Sequence, residues 1–326
     1  MKRKKKKRRL RLRYEGVKFI TYFLAVLFLI IYTITNSIKA YNHYQYTKTD
    51  EYKIQTMGYS LEETKDLLKI MTKDIKEFLL TTPKEDIYYT ITKQKYFLAK
   101  NYLEYIEYQK SHQDTSLNEI IALVNTHASD GWYNNTYKTD LSKNEQILVN
   151  KFYQLDENFK RDDLINIPLM YSYSGNMASQ EVINNYIEMH KKVKEELGIT
   201  LMVNSSFRTY QDQEEIYKQF SSKGKEYADS YAARPGFSEH QTGLAIDITS
   251  TANPTSNAFK ESNEYTWLKE HCHEYGFIHR YPEGKENITG YNTESWHFRY
   301  VGKKIATQIY NEGITFDEYY AYYIEK

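Results

Sequence analysis

The sequence predicts an α+β domain carried behind an N-terminal apolar helix and a small helical stalk. Three observations predict it. Phe19 to Ile38 is a run of 20 residues without a charge, directly behind a basic cluster. Beyond it, stretches of helical period alternate irregularly with short apolar strands, so a doubly wound βαβ sheet fits poorly. Hydrophobic residues make up 40% of the chain, which permits a sizeable core and excludes wholesale disorder.

Residues Met1 to Arg13 hold ten Lys and Arg and no acid, and the rest of the chain is mildly acidic, with 34 basic against 43 acidic residues. That balance argues against a nucleic-acid-binding body. The basic cluster reads as a topology signal: residues 1–18 stay cytoplasmic, residues 19–38 span the membrane uncleaved, and the remainder lies outside. A cleaved signal peptide is the weaker reading, because the apolar run is long and Ser37-Ile38-Lys39-Ala40 matches a cleavage site poorly. One cysteine, Cys272, excludes an intrachain disulfide and any Cys-based zinc knuckle.

Residues 39–115 read as linker and stalk. Tyr41 to Tyr52 has no period and is taken as linker. Ser60 and Glu63 form a capping box, and Leu61 through Leu79 recur at helical spacing, predicting one helix over Ser60 to Leu80, broken by Pro83. A second helix is expected around Lys95 to Gln109. The main domain is assigned to residues 116–326. It is predicted to hold a helix over Ser179 to Leu197 closed by Gly198, a strand over Ile199 to Phe207 and a helix over Arg208 to Phe220. Further on come a strand over Leu244 to Ile248, a helix over Glu264 to Tyr275 stopped by Gly276, a strand over Trp296 to Val301 and a helix over Lys303 to Tyr310 closed by Gly313.

Three short segments carry chemistry: Ser205-Ser206-Phe207-Arg208, Ser238 to Asp247, and Glu294-Ser295-Trp296-His297. Two histidines and one carboxylate suffice for a catalytic zinc with an open fourth position, and His240, Asp247 and His297 supply that set. Gly243 lets the backbone turn between His240 and the strand carrying Asp247. Residues three apart on an ideal strand point to opposite faces, so Glu294 can join His297 only from the loop entering the strand. There it is placed to act as general base on a water acidified by the metal. Arg208, at the entrance to a helix, suits a substrate carboxylate, and Gln213 could add a hydrogen bond. The other histidines lack a partner pattern: His271 and His273 flank Cys272 without facing a common point, and Cys272 reads as a small buried hydrophobe.

These segments resemble the zinc D-alanyl-D-alanine carboxypeptidases of the VanY type and the similar L,D-carboxypeptidases of the LdcB/DacB type. The family pattern, Ser-x-His followed by an Asp seven residues after the His and by Glu-x-x-His downstream, is present over Ser238, His240, Asp247, Glu294 and His297. Ala233 to Gly236 and Arg280 to Lys285 are also similar, and the match covers roughly residues 116–313. The resemblance implies a hedgehog-like α+β zinc fold and one Zn²⁺ per chain on His240, Asp247 and His297. It implies Glu294 as catalytic base, Arg208, Gln213, Ser238 and Tyr281 as substrate contacts, and Trp296 lining the site.

The implied function is removal of the terminal D-Ala from peptidoglycan stem peptides by an enzyme anchored in the membrane of a Gram-positive bacterium, its catalytic domain outside. Two alternatives stand beside it. One is an L,D-carboxypeptidase acting on tetrapeptide stems; the other is a non-catalytic zinc-containing module that binds cell wall. An intact Glu294 argues against the binding module, which has no need of a base.

Overall fold

The structure, a computed structural model, describes residues 2–325; the side chains of residues 2–10 and 12 fall outside the described set, and with them most of the basic cluster. The chain divides into two compact units, Met1–Thr92 and Lys93–Lys326. Residues 93–115, grouped with the stalk on sequence grounds, therefore belong to the second unit.

The first unit opens with helix α1 (Lys2–Tyr46). Among the described residues it is the one helix long and apolar enough to cross a membrane, and none of its apolar stretch is buried. It does not end at Ile38. Residues 39–46 contain neither Gly nor Pro, and a helix already nucleated gains one hydrogen bond for each residue it adds. After a short turn α2 (Asp50–Thr56) starts at Thr49, whose hydroxyl accepts from the Tyr52 amide. The expected open linker over 41–52 is thus largely helical.

The capping box of Ser60 and Glu63 forms as read, at the start of α3 (Leu61–Lys69). The single helix expected over 60–80 is two, because Thr72 caps a new helix, α4 (Lys73–Thr81), by accepting from the Ile75 amide. Threonine competes for backbone hydrogen bonds in this way, so it favours a helix start over a helix interior. Ile54, Leu67, Ile75, Leu79 and Tyr88, the last from α5 (Asp86–Thr90), are buried together with Ile91.

In the second unit, α6 (Tyr102–Ser111) begins later than the expected Lys95, since Leu98 is extended and the Tyr105 hydroxyl accepts its amide. Ser116 caps α7 (Leu117–Asn125). Two small pairings follow: β1 (Tyr137–Lys138) with β2 (Tyr153–Gln154), and β3 (Leu164–Asn166) with β4 (Met177–Ser179). Helix α8 (Gln180–Leu197) then buries Val182, Ile183, Tyr186, Met189 and Val193 and ends at Gly198 in the left-handed conformation. Ser179 occupies its N-cap position, but its hydroxyl donates to Asp163 instead of capping.

A four-stranded antiparallel sheet positions the site. Its strands are β5 (Leu201–Ser205), β6 (Ala245–Ser250), β7 (Phe277–His279) and β8 (His297–Tyr300), in the order β5-β6-β8-β7. Between them come α9 (Tyr210–Ser221), α10 (Lys225–Tyr231), α11 (Ser256–Lys260), α12 (Asn263–His271) and α13 (Glu286–Thr289). Helices α14 (Lys303–Glu312) and α15 (Phe316–Tyr319), the latter continued by a wider turn over Tyr320–Ile324, close the chain. The sequence reading missed the short edge strand β7 and the terminal helix.

Side chains alternate across a strand, so one face of this sheet builds the core and the other is free for chemistry. Ile246 and Ile248 of β6 and Phe298 and Tyr300 of β8 pack with α8, Phe259, Leu268 and Cys272. Each such burial stabilises the fold by roughly 1.5–3 kcal/mol. Asp247, His297 and Arg299 point the other way. Gly276 makes the turn into β7 at φ +85°, and a Cβ there would lie 2.6 Å from the Tyr300 ring and 3.1 Å from the Lys303 backbone nitrogen. Left-handed backbone disfavours every residue with a Cβ, and backbone atoms cannot give way as a flexible side chain can. Gly276→Ala should therefore lower unfolding free energy by about 2 kcal/mol or more, read from the midpoint of a denaturant titration. An unchanged midpoint would show that the turn tolerates a side chain.

Candidate metal centre and substrate cavity

The sheet register brings two of the three expected ligands together without help from any loop. Asp247 and His297 sit directly opposite each other on β6 and β8, and Ser205 lies opposite Asp247 on the far side. His240 arrives from a short 3₁₀ turn, Glu239–Thr242, that ends at Gly243 with φ +67°. That left-handed residue turns the chain from His240 into β6, the role glycine is expected to fill there.

The ligand atoms of His240, Asp247 and His297 all lie within 4.8 Å of one another. Asp247 Oδ1 is 3.3 Å from His240 Nε2 and 3.3 Å from His297 Nδ1. Each imidazole is held at its other nitrogen: His240 Nδ1 donates to the Ser206 carbonyl at 2.6 Å, and His297 Nε2 donates to Glu239 Oε2 at 3.2 Å. With one proton held outward, each neutral ring turns the lone pair of its other nitrogen inward. Asp247 Oδ1 is itself buried without a hydrogen-bond partner. Two lone pairs and an orphaned carboxylate oxygen facing one point fit a divalent cation bound by nitrogen and oxygen.

Glu294 confirms the loop geometry expected of it. It lies outside β8 in a turn closed by its own carbonyl, which accepts from the His297 amide at 3.3 Å. The turn returns its side chain to His297, placing Oε2 3.6 Å from Nδ1. Its amide donates to the Tyr281 carbonyl, and its carbonyl also accepts from His279 Nε2 at 3.0 Å. Burial pushes the Glu294 carboxyl up to about 7, with the Asp247 charge adding to it against the pull of His297. Burial drives the His240 imidazolium down to about 4, helped by Arg208. For His297 burial acts the same way, but the nearby carboxylates of Asp247 and Glu239 outweigh it and raise the group to about 9. Burial also opposes the Asp247 charge, yet the two histidines hold its carboxyl far below the ordinary range.

A cavity of about 190 Å³ opens over these groups. Arg208, Gln213, Ser238, Tyr281, Glu294 and Trp296 all line it, so every expected site residue converges there. Arg208 precedes the capping box of Thr209 and Asp212 that starts α9, rather than opening the helix itself, and its amide donates to the His240 carbonyl at 3.3 Å. Its Nε is buried and unpartnered. Gln213 donates through Nε2 to the Ala233 carbonyl at 2.7 Å, leaving Oε1 buried and free. Tyr281 packs its ring 4.9 Å from that of His297, and burial raises its hydroxyl well above the usual range. The sequence reading did not single out the remaining wall, Ile216 and Phe220 of α9 with Tyr231, Ala232 and Tyr291. The periodicity of α9 carried the signal, since Gln213, Ile216 and Phe220 share one face at helical spacing. Glu239 was also missed, although it stands between Ser238 and His240 in the motif. Cys272 is buried among core residues, as read, and His271 and His273 do not line this cavity.

Residues 175–303 match the family model VanY: D-alanyl-D-alanine carboxypeptidase. The chain is 38% identical over 185 residues to the putative carboxypeptidase YodJ of Bacillus subtilis, covering 55% of this chain and 67% of that protein. It is 41% identical over 133 residues to a D-alanyl-D-alanine carboxypeptidase of Enterococcus faecalis, covering 37% of this chain and 48% of that one, about half its length. Among solved structures, the LdcB LD-carboxypeptidase, studied for the molecular basis of peptidoglycan recognition, superposes with a TM-score of 0.54 at 37% identity, over 57% of this chain and 90% of that one.

The buried Glu294 predicts a pH effect on the metal-free protein. Its folded pKa lies above the unfolded value near 4.5, so folding favours the protonated form. That contribution is complete below about 4.5 and is lost as pH rises through 7. Metal-free Glu294→Gln should therefore melt close to metal-free wild type at pH 5. At pH 8 it should be more stable by roughly 1–3 kcal/mol. A gap that narrows from pH 5 to pH 8 in thermal melts would contradict this.

Proposed function

The chain belongs to the VanY family of D-alanyl-D-alanine carboxypeptidases, and on that premise we propose a membrane-anchored zinc carboxypeptidase that removes the C-terminal D-Ala from peptidoglycan stem peptides. One observation carries the reading. A cation-shaped ligand set, a carboxyl group beside it and an unpartnered guanidinium share one small cavity. At about 190 Å³ it is smaller than the ~300–1,000 Å³ typical of drug-sized pockets, which suits a short peptide end.

His240, Asp247 and His297 would hold one zinc ion, which when bound supplies a Lewis acid for the scissile carbonyl and lowers the pKa of the attacking water. Glu294 takes the proton from that water as oxygen attacks the carbonyl carbon. It then returns the proton to the amine nitrogen as the C–N bond breaks, so one water is consumed and free D-Ala leaves. Arg208 receives the terminal carboxylate, its free Nε offering a charge-assisted hydrogen bond where water is largely excluded. Ser238, Tyr281 and Trp296 line the adjoining wall. Gln213 presents an oxygen, which accepts from a substrate N–H rather than donating to the carboxylate. Helix α1 anchors the protein with residues 1–18 in the cytoplasm and the second unit facing the wall.

The likeness to the LdcB LD-carboxypeptidase favours a second substrate, the tetrapeptide stem cut before its single D-Ala, with the same chemistry. The test is mass spectrometry of muropeptides incubated with the purified full-length protein in detergent. Chelator-sensitive loss of one alanine from pentapeptide stems is expected. Glu294→Gln should retain zinc while kcat falls by roughly 10²–10⁴. Loss from tetrapeptides alone would assign the L,D activity, and loss from neither, with zinc bound, would leave a binding module.

A further inference from the structure

Glu239 lies next to a candidate ligand in sequence and borders the same cavity, and its carboxylate is buried. It is 1% exposed and accepts from three buried donors. Oε1 accepts from Arg280 Nε at 2.7 Å and Arg299 Nη1 at 3.1 Å, and Oε2 accepts from His297 Nε2 at 3.2 Å. Arg280 continues the chain of contacts as a bidentate pair with Asp317 of α15, at 2.5 and 3.1 Å. Asp317 is fixed in turn by the Asn150 side-chain amide at 2.7 Å. Two buried carboxylates thus face two buried guanidiniums, and the excess hydrogen-bonding capacity of Glu239 ends on the imidazole.

Resting on the metal reading above, we propose that Glu239 is a positioning residue for the metal centre, and that Asp317 and Arg280 extend its hold to the C-terminal helix. The physical reason is tautomer choice. In the neutral ring that binds a metal, Nε2–H directed to Glu239 leaves the Nδ1 lone pair of His297 toward Asp247. Without that acceptor the proton can sit on Nδ1 and donate to Asp247 Oδ1, which blocks two ligand atoms with one hydrogen. An outer-shell carboxylate of this kind is worth about 10–100-fold in metal affinity. Arg280 and Arg299 fix the Glu239 side chain with two hydrogen bonds, and Asp317 keeps Arg280 from being an unpaired buried charge.

Zinc affinity of the full-length protein, measured by competition with a chromophoric chelator, tests this without reference to substrate. Glu239→Gln should bind zinc about 10–100-fold more weakly, and Asp317→Asn should also bind more weakly, by a smaller factor. The visible spectrum of the cobalt-substituted protein should shift in Glu239→Gln, since the His297 ligand is altered. Glu264→Gln is the control, because Glu264 is a buried carboxylate hydrogen-bonded to Ser250 and Asn253 and touches no ligand. It should bind zinc as wild type does. Glu239→Gln strands two arginines, and if it fails to fold, Asp317→Asn decides. Wild-type affinity in the folded variants would overturn the relay while leaving the metal reading intact. Equal loss in Glu264→Gln would reduce the effect to general destabilisation and overturn it as well. A wild type that binds no zinc would overturn both.

Discussion

The site depends on a balance of buried charge beneath it. An imidazole and a carboxylate brought side by side on a dry sheet face repel or bind protons unless something fixes their state. Here the face opposite the core carries Asp247, His297 and Arg299 on neighbouring strands, and Glu239 and Arg280 close over them from adjacent turns. Guanidinium and carboxylate alternate, so Glu239, Arg280, Arg299 and Asp317 are all partnered, while Asp247 Oδ1, the atom that faces the candidate cation position, has no hydrogen-bond partner. Such a network adds little net stability over apolar packing, because desolvation offsets most of the attraction. Its value lies in geometry. It fixes which nitrogen of His297 carries hydrogen and where the ring stands.

That geometry is inherited from the sheet. Asp247 and His297 are paired by strand register, and a slip of one residue in either strand would turn its ligand toward the core and bring Ile246 or Phe298 to the cavity. The burial of Ile246, Ile248, Phe298 and Tyr300 against α8 therefore selects the register, and the register places the ligands. Packing energy on one face thus becomes positional precision on the other. Glu294 escapes the alternation rule only because it sits in a turn closed onto His297, tied to Tyr281 and His279 from the neighbouring edge strand.

The parts of this arrangement legible in sequence are those that rest on local pattern. His240, Gly243 and Asp247 occupy one short segment, and Glu294 and His297 are three apart, so simple stereochemistry placed them. Periodicity gave α8 and the strands on either side of the site. The relay was not legible, since Glu239, Arg280 and Asp317 are spread over 79 positions of the chain and only tertiary packing joins them. In the N-terminal unit the errors were of another kind. Propensity does not say where a helix stops when no Gly or Pro intervenes, as over residues 39–46. Nor did the apolar stripe of residues 60–80 reveal that Thr72 would cap a second helix. The boundary near Lys93 was hidden because the segment after it is fixed by contacts with the distant C-terminus, such as Tyr96 stacked on Tyr322 at 3.9 Å.

The remaining feature of the cavity is a pairing that is not made. Arg208 and Glu294 line the same small space, close enough for each charge to act on the other, yet no ion pair joins them among the described residues. A direct bridge would satisfy both, and would leave the guanidinium unavailable to a carboxylate and the carboxyl too weak a base to take a proton. The two backbones are tied in separate places, Arg208 to the His240 carbonyl and Glu294 to the Tyr281 carbonyl. Each group is consequently buried with its charge incompletely compensated, at a cost in stability that a substrate carboxylate and a bound cation would offset. Strain of this sort, kept at the site and tolerated by a well-packed sheet beneath it, is the trade expected where activity needs groups that packing alone would neutralise.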